Sequence, residues 1–185
     1  KYFGWGDGLT SYKAMCDQWS IFSTQLISCH ESEALRMLEA LLSNRTALPL
    51  REGHTADTAG ANEPIFALRH LAGFAFWPRL AGLERIRLWK LDRRLKLTHI
   101  ESLFEGCVDR ETILSEYDNL VRLVASLVDR RAPAHILGRC LTASSRTAPL
   151  ARAVTALGRI YRTIYLLQYL DSPELRRTVR RLQCR

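Results

Sequence analysis

Two acidic residues and a nearby histidine are the first candidates for chemistry. Asp7 stands in Trp5-Gly6-Asp7-Gly8, at the predicted end of a first short strand, KYFGWGD. Asp57 stands in His54-Thr55-Ala56-Asp57-Thr58, at the predicted end of a later one. Two carboxylates at neighbouring strand ends can share divalent cations, because hard Mg²⁺ takes oxygen ligands and usually keeps several waters. A pair of such ions activates an attacking oxygen and stabilises a leaving oxygen on phosphorus. The same residues also fit an Asp-Gly turn and a loop start, and spacing alone leaves both readings open. His54, three before Asp57, could orient a phosphate or a carboxylate, or could serve the packing. His30, His70, His99 and His135 have no metal-ligand spacing with one another or with a cysteine.

Other chemistries find few residues. There is no GxSxG, and Thr10-Ser11, Ser144-Ser145 and the cysteines lack an acid–base partner at a recognisable spacing. No GxGxxG or GxxxxGK(S/T) is present to cradle phosphate. The five cysteines (Cys16, Cys29, Cys107, Cys140, Cys184) are widely spaced and form no CxxC pair. That pattern argues against a disulfide framework or a zinc ribbon and fits a reducing interior.

Positive charge is the other candidate feature. The formal net charge is +8, with a pI near 9.6, and it is concentrated. Residues 79–96 carry Arg79, Arg85, Arg87, Lys90, Arg93, Arg94 and Lys96 against Glu84 and Asp92. The segment 171–185 carries five arginines against Asp171 and Glu174. Arg176/Arg180 and Arg177/Arg181 are i,i+4 pairs, so the four arginines cover one side of a helix, with Leu175, Val179 and Leu182 opposite. Such rows neutralise phosphates and make binding depend on salt, or they are a solvated face. Trp89, set among basic residues, suits base stacking, and equally suits burial at a helix–sheet junction.

The elements that must position these residues follow from periodicity. GLTS reads as a turn after the first strand, then YKAMCDQ and SIFSTQLIS as two more strands. Helices are expected at EALRMLEALL, with Ser32 as cap, and at EPIFALRHLAG, with Pro64 near its start and Gly73 closing it. GHTADTAG and FAFW read as short strands. From about residue 98 the strand signal disappears. ETILSEYDNLVRLVASLVDRR is helical, and PLARAVTALGRIYRTIYLLQYL carries Leu150, Val154, Leu157, Tyr161, Ile164 and Leu167 on one stripe. Ser172-Pro173 starts a last helix. The expectation is an α/β part over residues 1–97 followed by an all-helical part over 98–185.

Length and composition set the outer bounds. The 185 residues are about one domain's worth, with 47% hydrophobic and 25% charged residues. Disordered, collagenous and low-complexity classes are excluded. No apolar run is long enough to span a membrane, and no signal peptide opens the chain. The first residue is Lys1 rather than Met, and the expectation is a piece of something longer.

Several stretches together resemble one family. WGDG, HTADTAG, EPIFALRHLAGFAFWPRLAGLERIRLW and ALGRIYRTIYLLQYLDSPELRR are similar, in order and spacing, to the C-terminal catalytic region of the Tn-three family of replicative transposases. The resemblance runs from residue 3 to 182. It implies an RNase H-like core with a DDE triad, interrupted by a helical insertion before the last acid. It implies Asp7 and Asp57 as the first two triad carboxylates and metal ligands, with His54 as a motif neighbour. It implies Mg²⁺ (or Mn²⁺) as cofactor, and cleavage and strand transfer at transposon ends by phosphoryl transfer. The DNA-binding residues would be Arg85, Arg87, Lys90, Arg93, Arg94, Arg176, Arg177, Arg180 and Arg181. The partners would be terminal inverted repeats and target DNA, with a homodimer possible, no membrane and no small-molecule substrate, in a bacterial cytoplasm.

Two departures from the family pattern qualify this. The loop after WGDG is shorter here, only LTS. The family's catalytic glutamate would fall a couple of residues beyond Arg185, and Glu174 matches an ordinary helix-start acid instead. The resulting expectation is a chain holding two of three triad carboxylates and inactive alone. The alternative is a non-catalytic DNA-binding remnant or the relic of a decayed gene.

Overall fold

The computed structural model describes residues 8–16, 18–28, 33–44, 46, 53–56, 61–82, 84, 86–143 and 148–183. It opens with an antiparallel hairpin, β1 (Leu9–Met15) and β2 (Ile21–Ser28), in register Tyr12 to Gln25 and Leu9 to Ser28. Between the strands Trp19 takes φ 65° and Cys16 N–H donates to Ser20 O at 2.9 Å. Leu9, Thr10 and Ser11, expected as a turn, are therefore strand. Thr and Tyr favour a pleated surface, and pairing with Leu26–Ser28 outweighs the turn propensity of Ser11. The proposed first strand, KYFGWGD, lies outside the described residues.

Helix α1 (Glu33–Leu42) buries Leu35, Leu38 and Leu41 on one face, as their spacing requires. Helix α2 (Glu63–Leu71) starts where Asn62 accepts from Ile65 N–H at 3.1 Å and Pro64 occupies the first turn. It ends at Gly73, whose φ of 80° suits a residue without Cβ. Gly73 N–H closes onto His70 O and Phe74 N–H onto Arg69 O. The chain then returns beside the segment that preceded α2. His54 N–H donates to Ala75 O, Trp77 N–H to His54 O and Arg79 N–H to Ala56 O, at 3.1, 2.7 and 2.8 Å. The two expected strands here meet as a single parallel bridge, His54 to Phe76. Parallel neighbours need a crossover, and α2 supplies it.

The later part is not strand-free, as periodicity had suggested. β3 (Leu88–Lys90) pairs in parallel with β4 (Phe104–Cys107). FEGC carries no period-2 pattern of its own, so its pairing comes from β3 and not from local preference. The helical run after it breaks at Glu116 into α3 (Arg110–Ser115), capped by Asp109, and α4 (Tyr117–Val128). A further helix, α5 (Ala134–Ala143), was not expected. α6 (Pro149–Asp171) and α7 (Pro173–Gln183) fall where the sequence placed them, and Ser172 Oγ accepts from Leu175 N–H.

The stripe expected on α6 is only half buried. Ile164 is 43% and Leu167 40% exposed, whereas Ala153, Ala156, Gly158 and Thr163 are buried. Small residues win because α2 lies against α6. A Cβ at Gly158 would sit 1.8 Å from the Glu63 carbonyl oxygen. Close approach is worth more here than a bulky apolar side chain, since it lets Phe66 reach Tyr165, with ring centroids 5.7 Å apart. One core results. Leu38, Phe66, Leu68 and Phe76 share it with Leu120, Leu127, Val154 and Tyr165.

Candidate functional site

The site assembles around the backbone segment 53–56, which leads into Asp57. Arg79 N–H holds Ala56 O from one side at 2.8 Å. From the other, Gln183 at the end of α7 donates through Nε2 to Thr55 Oγ1 at 2.9 Å and to Ala56 O at 3.2 Å. The segment is thus clamped by residues that follow it by a crossover and by nearly the whole remaining chain. Asp7 and Asp57 lie outside the described residues. Among the described residues, no group of three or more His, Cys, Asp or Glu is placed to hold a metal ion.

His54 is inside the fold, 8% exposed. Its Nδ1 lies 3.4 Å from Ala75 O, and its ring meets Phe74 edge-on at 5.8 Å. Burial lowers its pKa to about 4, with the positive charge of Arg69 adding to the effect and the Ala75 carbonyl opposing it. The imidazole is therefore neutral at pH 7. It stiffens the segment before Asp57 and does not present a cation to phosphate.

Arg69 was missed by the sequence reading. It is fully buried on α2, its guanidinium 4.4 Å over the Phe76 ring. Its Nε, Nη1 and Nη2 have no hydrogen-bond partner among the described residues. Burial lowers its pKa to about 10, so it remains charged at neutral pH. The signal was present: Ile65, Leu68 and Ala72 share a stripe on which Arg69 falls. Its positive charge is felt at His54, where it helps to keep the imidazole neutral.

The basic residues divide. Lys90 forms an ion pair with Glu101 and donates to Leu95 O at 2.9 Å. Arg87 donates to Glu84 O and Ile86 O. Arg176 donates through Nη1 to Tyr169 O and Leu170 O, at 2.8 and 2.6 Å, and so caps the last turn of α6. Arg93, Arg94, Arg177, Arg180 and Arg181 are exposed. Arg85 lies outside the described residues. Trp89 is half-buried: the Arg159 guanidinium stacks 3.7 Å from its ring centroid, and its backbone N–H donates to Thr163 Oγ1.

Among the described residues, no helix is long and apolar enough to cross a membrane. The chain matches the family model of the Tn3 transposase DDE domain over residues 1–185. It is 33% identical over 180 residues to the transposase for transposon Tn1546 of Enterococcus faecium. It is 35% identical over 179 residues to the transposase for transposon gamma-delta of Escherichia coli (strain K12). It is 32% identical over 177 residues to the transposase for transposon Tn501 of Pseudomonas aeruginosa. These matches cover 96–97% of this chain and 18% of each relative, so the chain spans less than a fifth of their length.

Proposed function

The chain belongs to the Tn3 transposase DDE domain family, and on that premise we propose that it supplies two of the three triad carboxylates for the DNA-cutting and strand-joining chemistry of a transposase and is inactive alone. We read the fold as RNase H-like. The antiparallel hairpin, the parallel bridge at His54 and the crossover through α2 support that reading. We keep the division at residue 97 as a functional one, between an α/β part bearing Asp7 and Asp57 and a mainly helical part that also lends β4 to β3.

The observation that carries the reading is the clamp on the segment before Asp57. Gln183 ties the end of α7 to Thr55 and Ala56. The resemblance sets the third acid of the triad after this helix, so the clamp brings that end of the fold to the Asp57 segment. Asp7 and Asp57 would hold the divalent ions, their hard carboxylate oxygens being suited to Mg²⁺ or Mn²⁺. When bound, such ions supply Lewis-acid activation of the attacking oxygen and charge stabilisation of the leaving one. The chain's own contribution is to fix the backbone ahead of Asp57, keep His54 neutral, and exclude water from that flank. The exposed arginines of α7 and of residues 93–94 would bind the backbone phosphates of inverted repeats and target DNA, as a monomer or a homodimer.

Two measurements test this. Calorimetric titration with Mn²⁺ is expected to show binding that Asp57→Ala weakens at least about tenfold, about 1.4 kcal/mol. Unchanged heats would remove Asp57 from the site. Duplex affinity is expected to fall steeply with salt. Arg177, Arg180 and Arg181 changed together to Ala should reduce the slope of log K against log salt by about 3 and weaken every sequence alike. A loss confined to one sequence would contradict a phosphate role.

A further inference from the structure

The connection between β3 and β4, residues 91–103, has an unusual surface. Leu91 is 50%, Leu95 48% and Ile100 38% exposed. Arg93, Arg94 and Lys96 are exposed between and beside them. Loops rarely present several large apolar side chains interleaved with cations unless something covers them.

The loop is also built from within. Lys90 points into it, paired with Glu101 and donating to Leu95 O, with its ammonium 5.9 Å from the Phe104 ring. The other Glu101 oxygen accepts from Leu97 N–H at 3.3 Å. Asp92 accepts from Arg94 N–H through Oδ1 at 2.9 Å and from Leu95 N–H through its carbonyl at 3.2 Å. The turns at Leu97–Ile100 and Ile100–Leu103 are closed by backbone bonds. Lys90 and Glu101 neutralise each other, and Asp92 holds the turn through a backbone N–H while keeping its charge. Against that one acid, Arg93, Arg94 and Lys96 leave the tip net positive, and the exposed apolar groups stand beside them.

We propose that residues 91–100 form a wedge for duplex DNA. Arg93, Arg94 and Lys96 engage phosphates, and Leu91 and Leu95 press between base steps to kink the duplex. This rests on the DNA reading above and names the part of the surface that deforms the substrate. Apolar wedges flanked by cations kink duplexes by about 20–90°, unstacking a step in exchange for wider contact. Charge selects DNA as the occupant: a protein surface would have to supply acids to match three cations, whereas the duplex presents them at every step. Lys90, expected at first to bind DNA, becomes a positioning residue that sets the loop.

The test uses the whole chain and a short duplex labelled at both ends, with energy transfer reading the bend and a salt series reading the charge contacts. Leu91→Ser with Leu95→Ser is expected to abolish the bend and weaken affinity about tenfold, with the salt slope unchanged. Arg93→Gln with Arg94→Gln should instead lower the slope by about 2. Glu101→Gln, which frees Lys90, should reduce bending while leaving α7-dependent affinity intact. The leucines are about half exposed and lie outside the core, so unchanged melting temperatures are expected and will certify the variants. Leucine variants that bind and bend as the parent does would overturn the wedge, and would leave DNA binding itself standing. A parent chain that binds no duplex at any salt would overturn both.

Discussion

Gly158→Ala is expected to lower the melting temperature by roughly 5–15 °C, corresponding to about 2–4 kcal/mol in a chain of this size. Helix propensity predicts the opposite, since alanine gains about 1 kcal/mol over glycine in a helix interior. Contact with α2 decides the sign. The added Cβ would meet the Glu63 carbonyl oxygen at 1.8 Å, the carbonyl carbon at 2.4 Å and Cα at 2.9 Å. These are backbone atoms, so no rotamer change relieves the clash and α2 must move. Moving it disturbs the Arg162–Glu63 ion pair at 2.6 Å and the stacking of His70 on Tyr161, centroids 3.5 Å apart. Thermal unfolding followed by circular dichroism checks this. An alanine variant that melts at or above the parent would show that the two helices do not touch there.

The second large effect is on pH. His54 is held neutral, with its pKa lowered from 6.5 to about 4. The unfolded chain takes up the proton first as pH falls, so the unfolded state binds more protons between these values. Stability from this group is complete above pH 6.5 and is lost progressively as pH drops towards 4, by about 3 kcal/mol in total. His54→Gln should flatten that window. Other groups act lower. The Glu101 carboxyl is held below its usual range by Lys90, and that of Asp109 by Thr112. Their contributions are present above the ordinary carboxylate range and are lost as pH falls through the folded values. Urea unfolding at half-unit pH steps separates the two ranges. A parent whose stability is level from 6.5 to 4.5 would mean that the imidazole reaches water.

Elements with their own period or cap were legible in the sequence. α1 announced itself by its leucine spacing, α2 by Pro64 and Gly73, and α7 by Ser172-Pro173. What failed was whatever depends on a distant partner. β4 is a strand only because β3 lies beside it, and the first hairpin turn shifted because Leu9–Ser11 found partners in β2. The buried face of α6 followed α2's close approach rather than residue size. The same division runs through the site. His54 could be singled out from its motif, and the α7 arginines from their spacing. That Arg176 caps α6, that Lys90 is spent inside a loop, and that Gln183 holds Thr55 are tertiary facts with no local trace. Arg69 is the exception: its stripe was readable, but an arginine on a buried face is rarely the first reading.

The bond from Gln183 to Thr55 spans 128 positions. At ribosomal speeds of about 5–20 residues per second, Gln183 is made on the order of ten seconds after Thr55. During that interval the stretch ahead of Asp57 has no hold from α7. A nascent chain can therefore collapse around its early helices while the segment ahead of Asp57 still lacks one side of its clamp. The clamp acts as a timer: the segment is held from both sides only once translation has carried the chain through α7.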